Sequence, residues 1–315
     1  MHSNPRIHCL FLLTTFLALA PLPAQSHATA TRVFTLESSA HGNPEGVAFD
    51  PRTRAFFVGA IGDGTIYRGT LDDATVHVFI AGATGSSAVG MKVDRGQLFV
   101  AGGSTARITV FDLATRAQVG TFTTGTGGFV NDLVVTDDGD VYATDSFLPS
   151  IWHVPSSMVA SGSGAAQSIS VAGAIPYVNN AFNLNGIVAT HGGRRLLVLN
   201  SATGALFRVD VDDHGHHGNH GGNDDVHIAQ IDAPPLPGGD GMMIDRGRLV
   251  VVQGDGQIVS LQLRDGDRSA DVDERRTDPA LRGPSTIARA RDTLLVVNAD
   301  FATNLQPFTV VGLPR

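Results

Sequence analysis

Glu45-Gly46-Val47-Ala48-Phe49-Asp50 is the stretch from which the fold can be read, because versions of it come back further along the chain. The later copies are Val89-Gly90-Met91-Lys92-Val93-Asp94, Asn131-Asp132-Leu133-Val134-Val135, Asn185-Gly186-Ile187-Val188-Ala189, Asp240-Gly241-Met242-Met243-Ile244-Asp245 and Ser285-Thr286-Ile287-Ala288. Their starts lie 42 to 55 residues apart. Five of the six open on a polar residue and four have glycine second, and they then run through apolar positions into a turn. A second β-rich run follows, as in Gln97-Leu98-Phe99-Val100 and Arg248-Leu249-Val250-Val251, and in most copies a third, as in Arg107-Ile108-Thr109-Val110-Phe111. β-Branched and apolar residues between Gly and Asp turns mark antiparallel meanders. No stretch after the N-terminal region holds a 3.6-residue period, so little helix is expected.

Repeats of about 45 residues with several strands each predict an all-β fold, a six-bladed β-propeller. A lone meander cannot bury both of its faces; six in a ring bury them against each other. A pair of β-sandwiches, the bland rival, does not repeat at this period. Ring closure asks one terminus to complete a blade begun by the other. Thr31-Arg32-Val33-Phe34-Thr35-Leu36 and Pro307-Phe308-Thr309-Val310-Val311 are the candidates. Two insertions, residues 161–177 and 212–225, are rich in Gly, Ser, Ala or His and read as exposed loops.

Composition agrees. Of 315 residues, 42% are hydrophobic and 17% charged, enough for a large core. A net charge of −8 and 6% aromatics argue against nucleic acid as a partner. Arg6, the apolar run over residues 9–20 and the small residues Ser26-His27-Ala28-Thr29-Ala30 read as an export signal, cleaved after Ala28 or Ala30. Residues 1–30 are thus expected to be a signal peptide and residues 31–315 the propeller domain, secreted or periplasmic. No later segment is apolar enough to anchor the mature form in a membrane. The one cysteine, Cys9, lies in the signal, so the mature chain has no disulfide and no thiol nucleophile.

In a propeller the loop entering each innermost strand lies beside the axis, so equivalent residues converge there. Around the copies that position reads Glu45, Val89, Asn131, Asn185, Asp240 and Ser285. Glu45, Asn131, Asn185 and Asp240 bring two carboxylates and two carboxamides. All-oxygen donors suit a hard divalent cation, most naturally Ca²⁺, better than zinc or copper. Asn-Gly and Asp-Gly are also ordinary turn pairs; the common register is what favours the ligand reading.

Asn43-Pro44-Glu45-Gly46-Val47-Ala48-Phe49-Asp50, Val130-Asn131-Asp132, Leu184-Asn185-Gly186-Ile187 and Gly239-Asp240-Gly241-Met242 together resemble the senescence marker protein/gluconolactonase/luciferin-regenerating enzyme family. The ring itself is similar to that of paraoxonases and diisopropyl fluorophosphatases. The resemblance implies a calcium-dependent lactonase or related ester hydrolase acting on a small molecule. Under it Glu45, Asn185 and Asp240 are metal ligands, Asn131 is a ligand or holds substrate, and Asp240 is the general base or nucleophile. Val89 and Ser285 depart from a proton-transfer ring, and no counterpart of the paraoxonase histidine pair or of the arginine that binds sugar acids is evident. The alternative is a non-catalytic binding propeller with a structural calcium ion. His214, His216, His217 and His220 could chelate a transition metal, but a tract interrupted by glycines must first be ordered. Asp145 reads as a turn residue, and Trp152 and Phe207 as packing.

Overall fold

The computed structural model describes residues 1–2, 30–211 and 226–315. The expected export signal with Cys9, and the histidine tract, lie outside the described residues. Within them the chain is all-β: 25 strands, one helix over Ser156–Ser161 and a 3₁₀ turn over His191–Gly193. No described helix is long and apolar enough to cross a membrane.

The strands form consecutive antiparallel meanders, arranged as in a propeller. Unit one runs Pro44–Asp50, Ala55–Ala60, Ile66–Thr70, Thr75–Ile80. Unit two runs Met91–Asp94, Gln97–Ala101, Arg107–Asp112, Gln118–Thr123. Unit three runs Val130–Val135, Val141–Asp145, Ser150–Val154, Gln167–Ser170. Unit four runs Leu184–Thr190, Arg195–Asn200, Ala205–Asp210, His227–Gln230. Unit five runs Gly239–Asp245, Arg248–Gln253, Gln257–Arg264, Ser269–Thr277. Unit six has Pro284–Ala290, Thr293–Asn298 and Thr309–Pro314 from the C-terminus. Its fourth strand is Arg32–Leu36, which pairs antiparallel with Thr309–Pro314 through Arg32 opposite Gly312 and Thr35 opposite Thr309. The terminal strands named from the sequence therefore do meet.

The core explains why the units stand side by side. A strand's side chains alternate between its two faces. Phe56 and Val58 pack in a cluster shared with unit six, while Phe57 between them packs in one shared with unit two. Leu197 and Leu199 face unit five, and Leu196 and Val198 face unit three. Each apolar cluster among the described residues lies between two neighbouring units, and one joins unit six to unit one. A second strand is therefore buried on both faces and reads as a continuous apolar run, whereas the outermost strands are largely exposed. The first strands touch their neighbours in a closed cycle around the axis.

One expectation is corrected. Residues 161–177 are not simply a loop: Gln167–Ser170 is the outer strand of unit three, and Ser163–Ala165 adds in parallel to Gln118–Thr123. This outer strand turns only Ile169 toward the neighbouring unit, and its exposed Gln167, Ser168 and Ser170 leave no apolar alternation to read.

Candidate functional site

Five of the six ring residues, all but Val89, sit where the first strand of their unit is irregular. In units one, three, four, five and six the pairing slips between Pro44 and Val47, Val130 and Leu133, Leu184 and Ile187, Gly239 and Met242, and Pro284 and Ile287. The slipped residues are Glu45-Gly46, Asn131-Asp132, Asn185-Gly186, Asp240-Gly241 and Ser285-Thr286. A bulge of this kind re-aims a side chain that regular pairing would send elsewhere. The glycine that follows has a packing reason. A Cβ on Gly46 would lie 2.0 Å from the Val89 carbonyl oxygen, and one on Gly186 2.4 Å from that of Asp240. Adjacent first strands thus approach too closely for any side chain there.

Glu45, Val89, Asn131, Asn185 and Asp240 line one cavity of about 540 Å³. Ser285 does not: its hydroxyl donates to the Glu45 carbonyl at 2.8 Å and ties unit six to unit one. The four oxygen-bearing residues named from the repeat therefore meet. Each keeps one oxygen that is buried and has no hydrogen-bond partner: Glu45 Oε2, Asn131 Oδ1, Asn185 Oδ1 and Asp240 Oδ1. The amide nitrogens are accounted for. Asn131 Nδ2 donates to Ser146 Oγ at 2.9 Å, and Ser146 Oγ donates to the Leu184 carbonyl at 2.7 Å. Asn185 donates to the Asp240 carboxylate. Both amides are thus held with their oxygens left over.

Asp132 is a third carboxylate at this place and was not singled out from the sequence. It is 3% exposed, Oδ2 lacks a partner, and Oδ1 accepts from Lys92 Nζ at 3.1 Å. The available signal was that Asp132 fills a position which four of the six copies give to Gly. Burial pushes the Glu45 carboxyl well above its ordinary range, and the charges of Asp240 and Asp132 add to this against the opposing pull of Lys92. Burial likewise raises Asp240, to about 7, with the Asn185 hydrogen bond resisting and Asp132 adding to the rise. Buried carboxylates with orphaned oxygens are costly unless something offsets them. Among the described residues no group of three or more His, Cys, Asp or Glu is disposed as a metal site; half of the donors here are amides.

Above the ring the wall changes character. Ile61, Phe129, Phe182 and Phe301 enclose the cavity. Asp145, fully buried, holds part of this wall. Its Oδ1 accepts the backbone N–H groups of Phe129, Phe147 and Leu148 at 2.9, 3.0 and 2.9 Å, and its Oδ2 accepts Trp152 Nε1 at 3.0 Å. The bonds from the Phe147 and Leu148 N–H groups fit the turn role read for Asp145, and the burial of Trp152 and Phe207 fits packing.

The sequence pattern of the SMP-30/Gluconolactonase/LRE-like region matches residues 43–296. No curated protein matches the chain by sequence. Among solved structures, a luciferin-regenerating enzyme is similar with a TM-score of 0.61 at 14% identity, covering 91% of this chain and 96% of its own. A gluconolactonase from Xanthomonas campestris gives 0.60 at 18% identity, covering 87% and 86%. Hydrazine synthase of Kuenenia stuttgartiensis gives 0.57 at 16%, covering 86% and 83%. At such identities these likenesses carry the fold alone.

Proposed function

Because the chain belongs to the SMP-30/gluconolactonase/LRE-like family, we propose that it is an exported, metal-dependent hydrolase of lactones or related esters, working at one mouth of a six-bladed β-propeller. The observation that carries this reading is the set of partnerless buried oxygens on Glu45, Asn131, Asn185 and Asp240. An all-oxygen donor set fits a hard cation, with calcium the first choice. The charge balance fits as well: Glu45, Asp132 and Asp240 against Lys92 leave two negative charges for a divalent ion to offset. Glu45, Asn131, Asn185 and Asp240 would hold it.

When bound, the ion supplies Lewis-acid polarisation of the scissile carbonyl. The chain's own groups do the remainder. Asp240 takes the proton of the attacking water on its carboxylate, or attacks the acyl carbon itself, breaking the ring C–O bond to leave an acyl-aspartate that water then hydrolyses, the water's proton ending on the alkoxide. In the first course the water oxygen bonds to the acyl carbon, the ring C–O bond breaks, and the proton passes through Asp240 to the leaving alkoxide. Asn131, fixed by Ser146, offers its amide oxygen to the ion or orients the substrate.

Purified protein assayed on lactones, esters and phosphotriesters with calcium, then with chelator, tests the reading. Chelator-sensitive turnover that Asp240→Asn removes is the expected result. No turnover on any of them returns the molecule to a binding propeller with a structural ion. Amino-terminal sequencing of the exported product, expected to begin at Thr29 or Thr31, tests the leader.

A further inference from the structure

The ring is polar, but almost nothing above it is. Val89, Ile61, Phe129, Phe182 and Phe301 form the wall, and among the described residues no Lys or Arg lines the cavity. Among the described residues Ser201 is the one hydroxyl-bearing side chain in the lining, and its hydroxyl donates to the Gly239 carbonyl. A polyhydroxylated lactone buried here would leave several hydroxyls without partners, and a sugar acid or phosphate would lack a cation from the protein. Substrate groups stripped of hydrogen bonds are what such a wall rejects.

The same wall has much to offer an apolar chain. Phe182 and Phe301 remain 49% and 52% exposed at the mouth. Phe129, Phe147 and Phe182 form a triangle with ring centroids 5.0 to 5.7 Å apart. Two of these rings stand on backbone anchored by the buried Asp145 carboxylate, so the surface is held in place before any ligand arrives. Aromatic surface left facing water and fixed in shape marks a place where something apolar settles. The volume, about 540 Å³, is in the range of small-molecule sites.

We propose that the substrate is an uncharged lactone bearing an apolar alkyl or aryl substituent, seated against Phe129, Phe182 and Phe301 with its carbonyl toward the ring, in preference to a sugar lactone. This rests on the hydrolase reading above. The test compares γ-butyrolactone, γ-hexalactone and γ-nonalactone with D-glucono-δ-lactone, using the calcium-loaded protein. kcat/KM is expected to rise about fourfold for each added methylene until the cavity is full, as burial of a methylene group provides. γ-Nonalactone is then preferred to the sugar lactone by at least about a hundredfold. Phe182→Ala reduces the nonalactone-to-butyrolactone ratio by about tenfold, and Phe182→Leu restores most of it.

Binding of 2-pentylcyclopentanone, a ketone that cannot be hydrolysed, is followed calorimetrically beside cyclopentanone. Tighter binding of the pentyl compound without turnover of any lactone keeps the apolar seat and removes the hydrolase. Turnover with a flat chain-length series, or with the sugar lactone preferred, keeps the hydrolase and overturns the apolar seat. Neither binding nor turnover overturns both.

Discussion

The first strands carry one cavity at their starts and another further along, and the two differ in chemistry. At one end the bulged positions present Glu45, Asn131, Asn185 and Asp240 beneath an aromatic rim. A few residues further along the same strands, a second cavity of about 300 Å³ is lined by Val47, Val134, Ile187, Met242 and Ile287, with Lys92 and Arg289 among them. The backbone repeats; the register does not. Where pairing slips, a polar side chain is turned inward, and where pairing resumes, ordinary alternation puts apolar groups on the axis. Lys92 joins the two ends, since it lines the apolar cavity and bonds Asp132 beside the ring. It thereby sets how much negative charge is left over at the polar end.

The comparison is broken most severely by Asp240→Asn. Turnover of a responsive lactone is expected to fall by about 10² to 10⁴-fold, as loss of a general base does. A parallel substitution at the apolar end, Met243→Leu, should leave kcat within about twofold because the volume is conserved. Equal losses from the two would mean that the ends are not functionally distinct.

Lys92→Met tests the link between them. It leaves the Asp132 carboxylate buried without its counter-charge and should cost about 3 to 5 kcal/mol in chemical denaturation with chelator present. The double variant Lys92→Met/Asp132→Asn should recover most of that. If Lys92→Met unfolds at the wild-type midpoint, the ammonium does not balance the ring. Calcium removal gives a smaller effect. Ion at a hundred times its Kd should stabilise the wild type by about 2.7 kcal/mol, read as a higher thermal midpoint that chelator reverses. An unchanged midpoint would take the ion out of the proposal.

The smallest expected effect lies off the axis and serves as a control. Burial alone would raise the Asp210 carboxyl, but hydrogen bonds and charge from Arg208 and Arg195 outweigh it and hold the group at about 2. A folded-state value below the unfolded one, about 3.9, means the stabilisation is present above that pH and lost as pH falls toward 2. Asp210→Asn should therefore destabilise at pH 7 and lose its penalty near pH 2, with activity at neutral pH unmoved. A penalty that does not vary with pH would contradict the ion-pair assignment.

Much of this was legible in the chain because repetition fixes register. Once Glu45 is aligned with Asn131, Asn185 and Asp240, a ring places them on one axis without any knowledge of contacts. The closing strand was legible for the same reason: Arg32–Leu36 is an apolar strand without a unit of its own. Asp132 was overlooked because a turn-forming Asp after Asn looks like local hydrogen bonding, and its partner Lys92 belongs to another unit. Phe129 and Phe182 come from the connections that follow units two and three, and Phe301 from the loop between Thr293–Asn298 and Thr309–Pro314, where no period constrains position. Gln167–Ser170 was missed because exposed strands carry no alternation.

The pairing of Arg32–Leu36 with Thr309–Pro314 has a mechanical consequence. The two strands run antiparallel, so residues 30 and 315 leave the sheet at the same end, next to the Arg32–Gly312 pair. A pull on both termini loads that pair first and then each one behind it in turn, a zipper geometry in which no two rungs share the force. The molecule should open at low tension at this seam, while the interior meanders, loaded only after it parts, hold longer.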